Sequence, residues 1–161
     1  MNDLLEVGPN FQNTPTVHLI QKVNGIVTIT GEKLHERQFI EAVREAEDIT
    51  GLKTRFFIGF ADLSILGYKF YYEFADQSVT QEQAEMFTAK VDEILMRINV
   101  EYKTKRDSLR LKLPETYRLI PESFETFKAQ CIAEGARDGQ FKLQLLMQDE
   151  KRHEKFKKLT L

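Results

Sequence analysis

The chain has no tryptophan, four prolines and a single cysteine, Cys131, in 161 residues. One thiol excludes an internal disulfide and suits a reducing compartment. The three histidines, His18, His35 and His153, are isolated from one another, and no Cys/His cluster with zinc spacing exists, so structural or solvated roles are expected for them and no metal site. No apolar run is long enough to span a bilayer. The opening residues, Met1 to Glu6, lack the basic region and apolar stretch of a signal peptide. Together these absences point to a cytoplasmic protein without a membrane partner. Charge of one sign is also lacking: 23 Lys and Arg face 25 Asp and Glu, a net charge of -2, which argues against nucleic acid as a bulk electrostatic partner. A glycine-rich phosphate loop, a nucleophile elbow, an internal repeat and a low-complexity linker are all missing, so no complete active site is legible.

What is present is a core. Hydrophobic residues make up 42% of the chain, and twelve Phe and five Tyr give it an aromatic character. Residues 1–15 are polar and turn-rich, with Gly8-Pro9 and Thr14-Pro15 as breakers, and suit a stretch that lies against something else. Val17 to Val23 and Ile26 to Thr30 read as strands, and Asn24-Gly25 between them is a type I′ hairpin signal. Leu34 to Asp48 has helical spacing in Phe39, Val43 and Ala46, with Ile40 widening the stripe and Gly51 placed for a left-handed cap. Arg55 to Ala61 and Tyr68 to Phe74 alternate as strands, and the short link ending at Gly67 predicts an antiparallel hairpin. Thr80 to Ile98 is the clearest helix, with Thr80 and Gln83 at capping-box spacing and a stripe of Ala84, Phe87, Val91, Ile94, Leu95 and Ile98. A short strand at Thr116 to Ile120, between Pro114 and Pro121, precedes a helix from Ser123 to Glu134 that Gly135 stops. Residues 136–142 read as loop, followed by an apolar run. The charged tail, Gln148 to Lys158, reads as a solvated helix.

The resulting class is α+β: an antiparallel-rich mixed sheet packed by helices, with a ferredoxin-like (split βαβ) layer preceded by a hairpin. Cys131 falls on the apolar face of its helix, where core packing is expected. The stripe of Tyr68, Phe70, Tyr72 and Phe74 would suit base stacking in an RNA-binding sheet. The acidic balance and the absence of an accompanying glycine pattern favour a sheet face covered by helices instead.

Three segments carry a resemblance. They are Asn2 to Val7 with Asn13-Thr14-Pro15 and Gly31-Glu32-Lys33-Leu34, then Asn99 to Arg106, then Gly139-Gln140-Phe141-Lys142. In this order and spacing they resemble the C-terminal portion of the Gretchen Hagen (auxin-responsive promoter) family of acyl-acid amido synthetases, within the adenylate-forming superfamily. The resemblance extends over essentially the whole chain. It implies a division of labour in which a large N-terminal domain binds ATP, Mg²⁺, a small carboxylic acid and an amine or amino acid, and a small domain closes over them across a hinge. Residues 1–34 would then be the end of the large domain and the hinge hairpin, and residues 35–161 the lid, inactive alone and needing no cofactor of its own. Asn24, Gly25, Gly31, Glu32 and Lys33 would form the hinge. Lys142 would be the catalytic lysine, neutralising charge on the phosphates during adenylation. Lys105 and Arg106, within the basic cluster Lys103 to Lys112, would contact phosphates or the large domain. The family's proline and arginine after the lysine are replaced by Gln144 and Leu145. A stand-alone module binding a small ligand or a protein is the other class the sequence supports.

Overall fold

The computed structural model describes residues 3–161 apart from Asn13, Pro15, Val23 and Asn24. Its strands are β1 (Asp3–Val7), β2 (Val17–Lys22), β3 (Ile26–Val27), β4 (Leu34–His35), β5 (Thr54–Asp62), β6 (Gly67–Phe74), β7 (Glu115–Arg118) and β8 (Leu146–Met147). Its helices are α1 (Glu36–Thr50), α2 (Gln81–Ile98), α3 (Val100–Asp107), α4 (Ser123–Ala133) and α5 (Glu150–Lys157), with a 3₁₀ turn at Asp138–Gln140. No helix is long and apolar enough to cross a membrane among the described residues.

The helices form where the periodicity places them, and their ends have local causes. The Thr80 side chain accepts from the Gln83 amide and the Gln83 side chain from the Thr80 amide, so the capping box starts α2. Gly51 closes α1 in the left-handed conformation, at φ 76°. Buried Glu73 accepts from the amides of Glu122 and Ser123 and from the Ser123 hydroxyl. It thereby places a carboxylate on the amides at the start of α4 that have no partner within the helix.

The central sheet runs β7-β6-β5-β8. β5 and β6 form the expected antiparallel hairpin, while β6–β7 and β5–β8 are parallel. The α+β class and the helix–strand–strand–helix–strand succession are as expected. The strand order refines the ferredoxin-like picture, since β7 lies directly beside β6 with no strand splitting them.

Helices cover both faces. On one, Phe57, Tyr68, Phe70, Tyr72 and Phe74 meet Phe39 and Val43 of α1, Phe87 and Leu95 of α2, and Tyr102 of α3. Gly59 keeps the sheet surface low here: a Cβ on it would lie 3.2 Å from the Phe39 ring. On the other face, Ile58, Phe60 and Tyr71 meet Phe127 of α4, and Phe156 and Leu159 of the C-terminal segment. The aromatic stripe is therefore core, as favoured. Cys131 is half-buried against the second cluster.

Four expectations are corrected. Among the described residues, which exclude Val23 and Asn24, the strands do not pair across Asn24-Gly25: β2 pairs with β1, and β3 with β4. Gly25 does have positive φ, 98°, but it serves a close approach. The Glu36 amide donates to the Gly25 carbonyl at 2.6 Å, and the Glu36 carboxylate lies 2.9 Å from where a Cβ would stand. Secondly, α1 starts at Glu36, with Leu34–His35 a short strand before it. Thirdly, the tail is not wholly solvated, because His153 and Phe156 of α5 are buried. Fourthly, residues 136–142 contain the 3₁₀ turn, which the ion pair from Lys128 to Asp138 (2.6 Å) ties to α4. Three elements had no counterpart in the sequence reading: β1 within the turn-rich opening stretch, α3, and the two-residue β8 within the apolar run.

Candidate functional site

Glu32, proposed for the hinge, is fully buried. Its carboxylate accepts from the Ile29 and Thr30 amides at 2.9 Å each, from the Thr30 hydroxyl at 2.9 Å, and from the Tyr68 hydroxyl at 2.6 Å. Burial alone would raise its pKa, yet these bonds outweigh burial and hold it below the ordinary carboxylate value. Glu32 is thus a pin that fastens the 28–33 loop to β6. Gly31 beside it is exposed and has φ 103°, a conformation open to glycine without strain. Lys33 is exposed, and its amide donates to Glu101 of α3 at 3.2 Å. Asn24 lies outside the described residues.

The structure brings Lys105 to this loop: its Nζ lies 3.5 Å from a Cβ built on Gly31. Arg106, its neighbour, turns the other way. Its guanidinium holds Asp92 through Nε and Nη2 and donates from Nη1 to the Leu111 carbonyl at 3.0 Å. Tyr102 adds a 2.6 Å bond to the same Asp92. All three guanidinium nitrogens are used inside the domain, so Arg106 knits α2, α3 and the following loop together.

Asn99 joins the two sides of this region. Its side chain caps α3 by accepting from the Tyr102 amide, and donates to the Lys33 carbonyl and the Gln38 side chain. Sequence reading missed Asn99 in this role, although an asparagine before a helical turn is a standard cap signal.

Lys142 is exposed and stands on the opposite face of the sheet from α3, in the chain between the 3₁₀ turn and β8. It lines an open cleft of about 1060 Å³ between α4 and α5. Three residues on, the Leu145 amide donates to the Glu36 carboxylate, the same group that sits over Gly25. The segment preceding α1 and the chain leading from Lys142 therefore meet at the start of α1. A cavity of about 410 Å³ is lined by Gly25–Thr28 together with Gln144 and the β8 segment. Glu36 was missed because nothing in its sequence position marks a helical glutamate as a clasp between distant segments. No group of three or more His, Cys, Asp or Glu side chains is placed to hold a metal among the described residues.

The family model described as GH3 family C-terminal domain matches residues 37–151. The chain belongs to the GH3 family. It superposes over its full length on the GH3.15 acyl acid amido synthetase, with TM-score 0.75 and 18% identity. A structure of AtGH3.15 acyl acid amido synthetase in complex with 2,4-DB is matched over 99% of the chain, with TM-score 0.72 and 17% identity. The chain spans 31% and 30% of those two proteins. No curated protein matches the sequence. As a GH3 C-terminal domain, the chain has the α+β architecture that its pattern predicted.

Proposed function

We propose that this GH3 C-terminal domain is the lid of an ATP-dependent, acyl-adenylate-forming amido synthetase of the cytoplasm, inactive alone. The observation that carries the reading is the superposition of the entire chain on about a third of a protein named as an acyl acid amido synthetase. The remaining two thirds would supply the pocket for ATP and a small carboxylic acid, and would be this domain's partner in the same polypeptide. Mg²⁺ would travel with the nucleotide and be held chiefly by that partner domain, and the amine or amino acid would enter once the adenylate has formed.

Within this reading the 25–33 segment works as the hinge. Gly31 supplies backbone freedom, and the Glu32 pin keeps the loop's base fixed to the lid. Lys142 acts as a point charge brought in by closure: an ammonium near the phosphates stabilises the negative charge that develops as carboxylate oxygen attacks the α-phosphate and pyrophosphate leaves. Lys105, beside Gly31, would contact the large domain or a phosphate. Arg106 supports the wall behind it.

The test is pyrophosphate exchange by the full-length protein carrying this domain. Lys142→Ala is expected to lower exchange by 10²-fold or more while leaving thermal unfolding of the domain in place. Unchanged exchange would remove the lysine from the mechanism. Absence of exchange with a broad panel of carboxylic acids would remove the synthetase reading itself.

A further inference from the structure

The cleft between α4 and α5 carries an unusual concentration of cations for an acidic chain. Arg137 enters from the chain after α4, Lys142 from the chain before β8, and Lys151, Lys155 and Lys158 from α5 and its cap. The last three are spaced i, i+4, i+7, which places them along one side of the helix over about 10 Å. Acidic neighbours cancel part of this charge. Lys155 pairs with Glu134, and Arg152 with Asp149 at 3.4 Å, while Glu154, also in the lining, is engaged at 2.6 Å by Lys157, which is not. Arg137, Lys142, Lys151 and Lys158 make no ion pair among the described residues, and of the four carboxylates in the lining Glu150 alone lacks a paired cation. Behind them the wall is apolar, formed by Phe141, Ala136 and Cys131. A concave site with four free cations spread along its length suits an extended anion better than a single small ion.

We infer that this cleft is a binding site for a short polyphosphate chain, free as inorganic pyrophosphate or as the tail of a nucleotide. Lys142 is shared with the lid reading, but the inference stands on the cleft's own geometry and gives α5 a part beyond packing. In the lid reading it would offer the departing pyrophosphate a place on the closing domain.

The lone thiol makes the test direct, because Cys131 lies in the cleft wall. Alkylation of Cys131 in the 161-residue chain would be followed with and without pyrophosphate, at fixed ionic strength. Protection of at least threefold at millimolar pyrophosphate is expected, with sulfate giving little. Lys142→Ala combined with Lys151→Ala should weaken protection tenfold, and Lys151→Arg should keep it. ATP protecting as well as pyrophosphate assigns the nucleotide tail; protection by pyrophosphate alone assigns the free anion. No protection, or equal protection by sulfate, overturns the site. Protection without pyrophosphate exchange by the full-length protein leaves the cleft standing and removes the lid reading; exchange without protection does the reverse.

Discussion

At the scale of single residues, the adjacent pair Lys105 and Arg106 shows how a basic cluster divides its labour. Successive helical residues point about 100° apart, so one faces the Gly31 loop and the other the Asp92 carboxylate. The Arg106 side chain is 10% exposed and that of Asp92 5%. Arg106→Ala is expected to cost about 3 kcal/mol in urea unfolding, since it strands a buried carboxylate, whereas Lys105→Ala should change stability by less than about 0.5 kcal/mol. A second test concerns His153, whose Nε2 lies 2.8 Å from the Tyr71 hydroxyl. Burial, with Lys69 and Lys157 nearby, lowers its pKa below 6.5, against the smaller pull of Asp62 and Glu154. Burial pushes Tyr71 up, so the phenol donates to a neutral imidazole. A depressed histidine favours the folded state when uncharged; its contribution is therefore present above about pH 6.5 and lost as pH falls through the lower folded value. Unfolding measured from pH 7.5 to 5 should show that loss, and His153→Gln should remove it. Glu32 acts in a lower window: its lowered pKa gives stability that is present above the ordinary carboxylate value and lost below it. Glu32→Gln should flatten the profile there.

At the scale of elements, the sequence spoke clearly where apolar spacing was long and unambiguous. The stripes of α1 and α2, the alternation of β5 and β6, the capping box and the Gly51 stop were all readable, because each is a local cause of a local result. The failures share a different cause. Asn24-Gly25 carries a hairpin signal, but the positive φ of Gly25 is spent on contact with Glu36, eleven positions away. The α5 helix buries only His153 and Phe156, so its charged majority reads as solvated. β8 is two residues long, too short for any period, and α3 is an eight-residue charged helix announced only by the Asn99 cap. The candidate site was legible as residue types only, and Lys142 and Gly31 are both exposed. Its joinery, Glu36 to Leu145 and Asn99 to Lys33, spans more than sixty positions of sequence, and no local pattern encodes that. Two glycines test this account. Gly25→Ala meets both a strained φ and the Glu36 side chain, and should cost well over 1 kcal/mol. Gly51→Ala meets open space and should cost only the conformational penalty of about 1 kcal/mol. Thermal melts of the two variants would separate the effects.

At the scale of the molecule, the β5–β6 hairpin belongs to both cores, its odd and even side chains serving opposite helical layers. Phe156 of α5 contacts Phe56, Phe60, Tyr71 and Phe127 within the second layer. Phe156→Ala is expected to cost about 3–5 kcal/mol, and, because the hairpin is shared, to lower the α1–α2 layer in the same transition; a single coincident unfolding curve by two probes would check it.

The central sheet also has modest borders. β8 presents two residues and β7 four, the latter set between Pro114 and Pro121. A foreign strand seeking to extend a sheet needs a longer row of free amides and carbonyls than either border offers. With edges this short, crowding has little purchase for turning this sheet into a template for other copies of the chain.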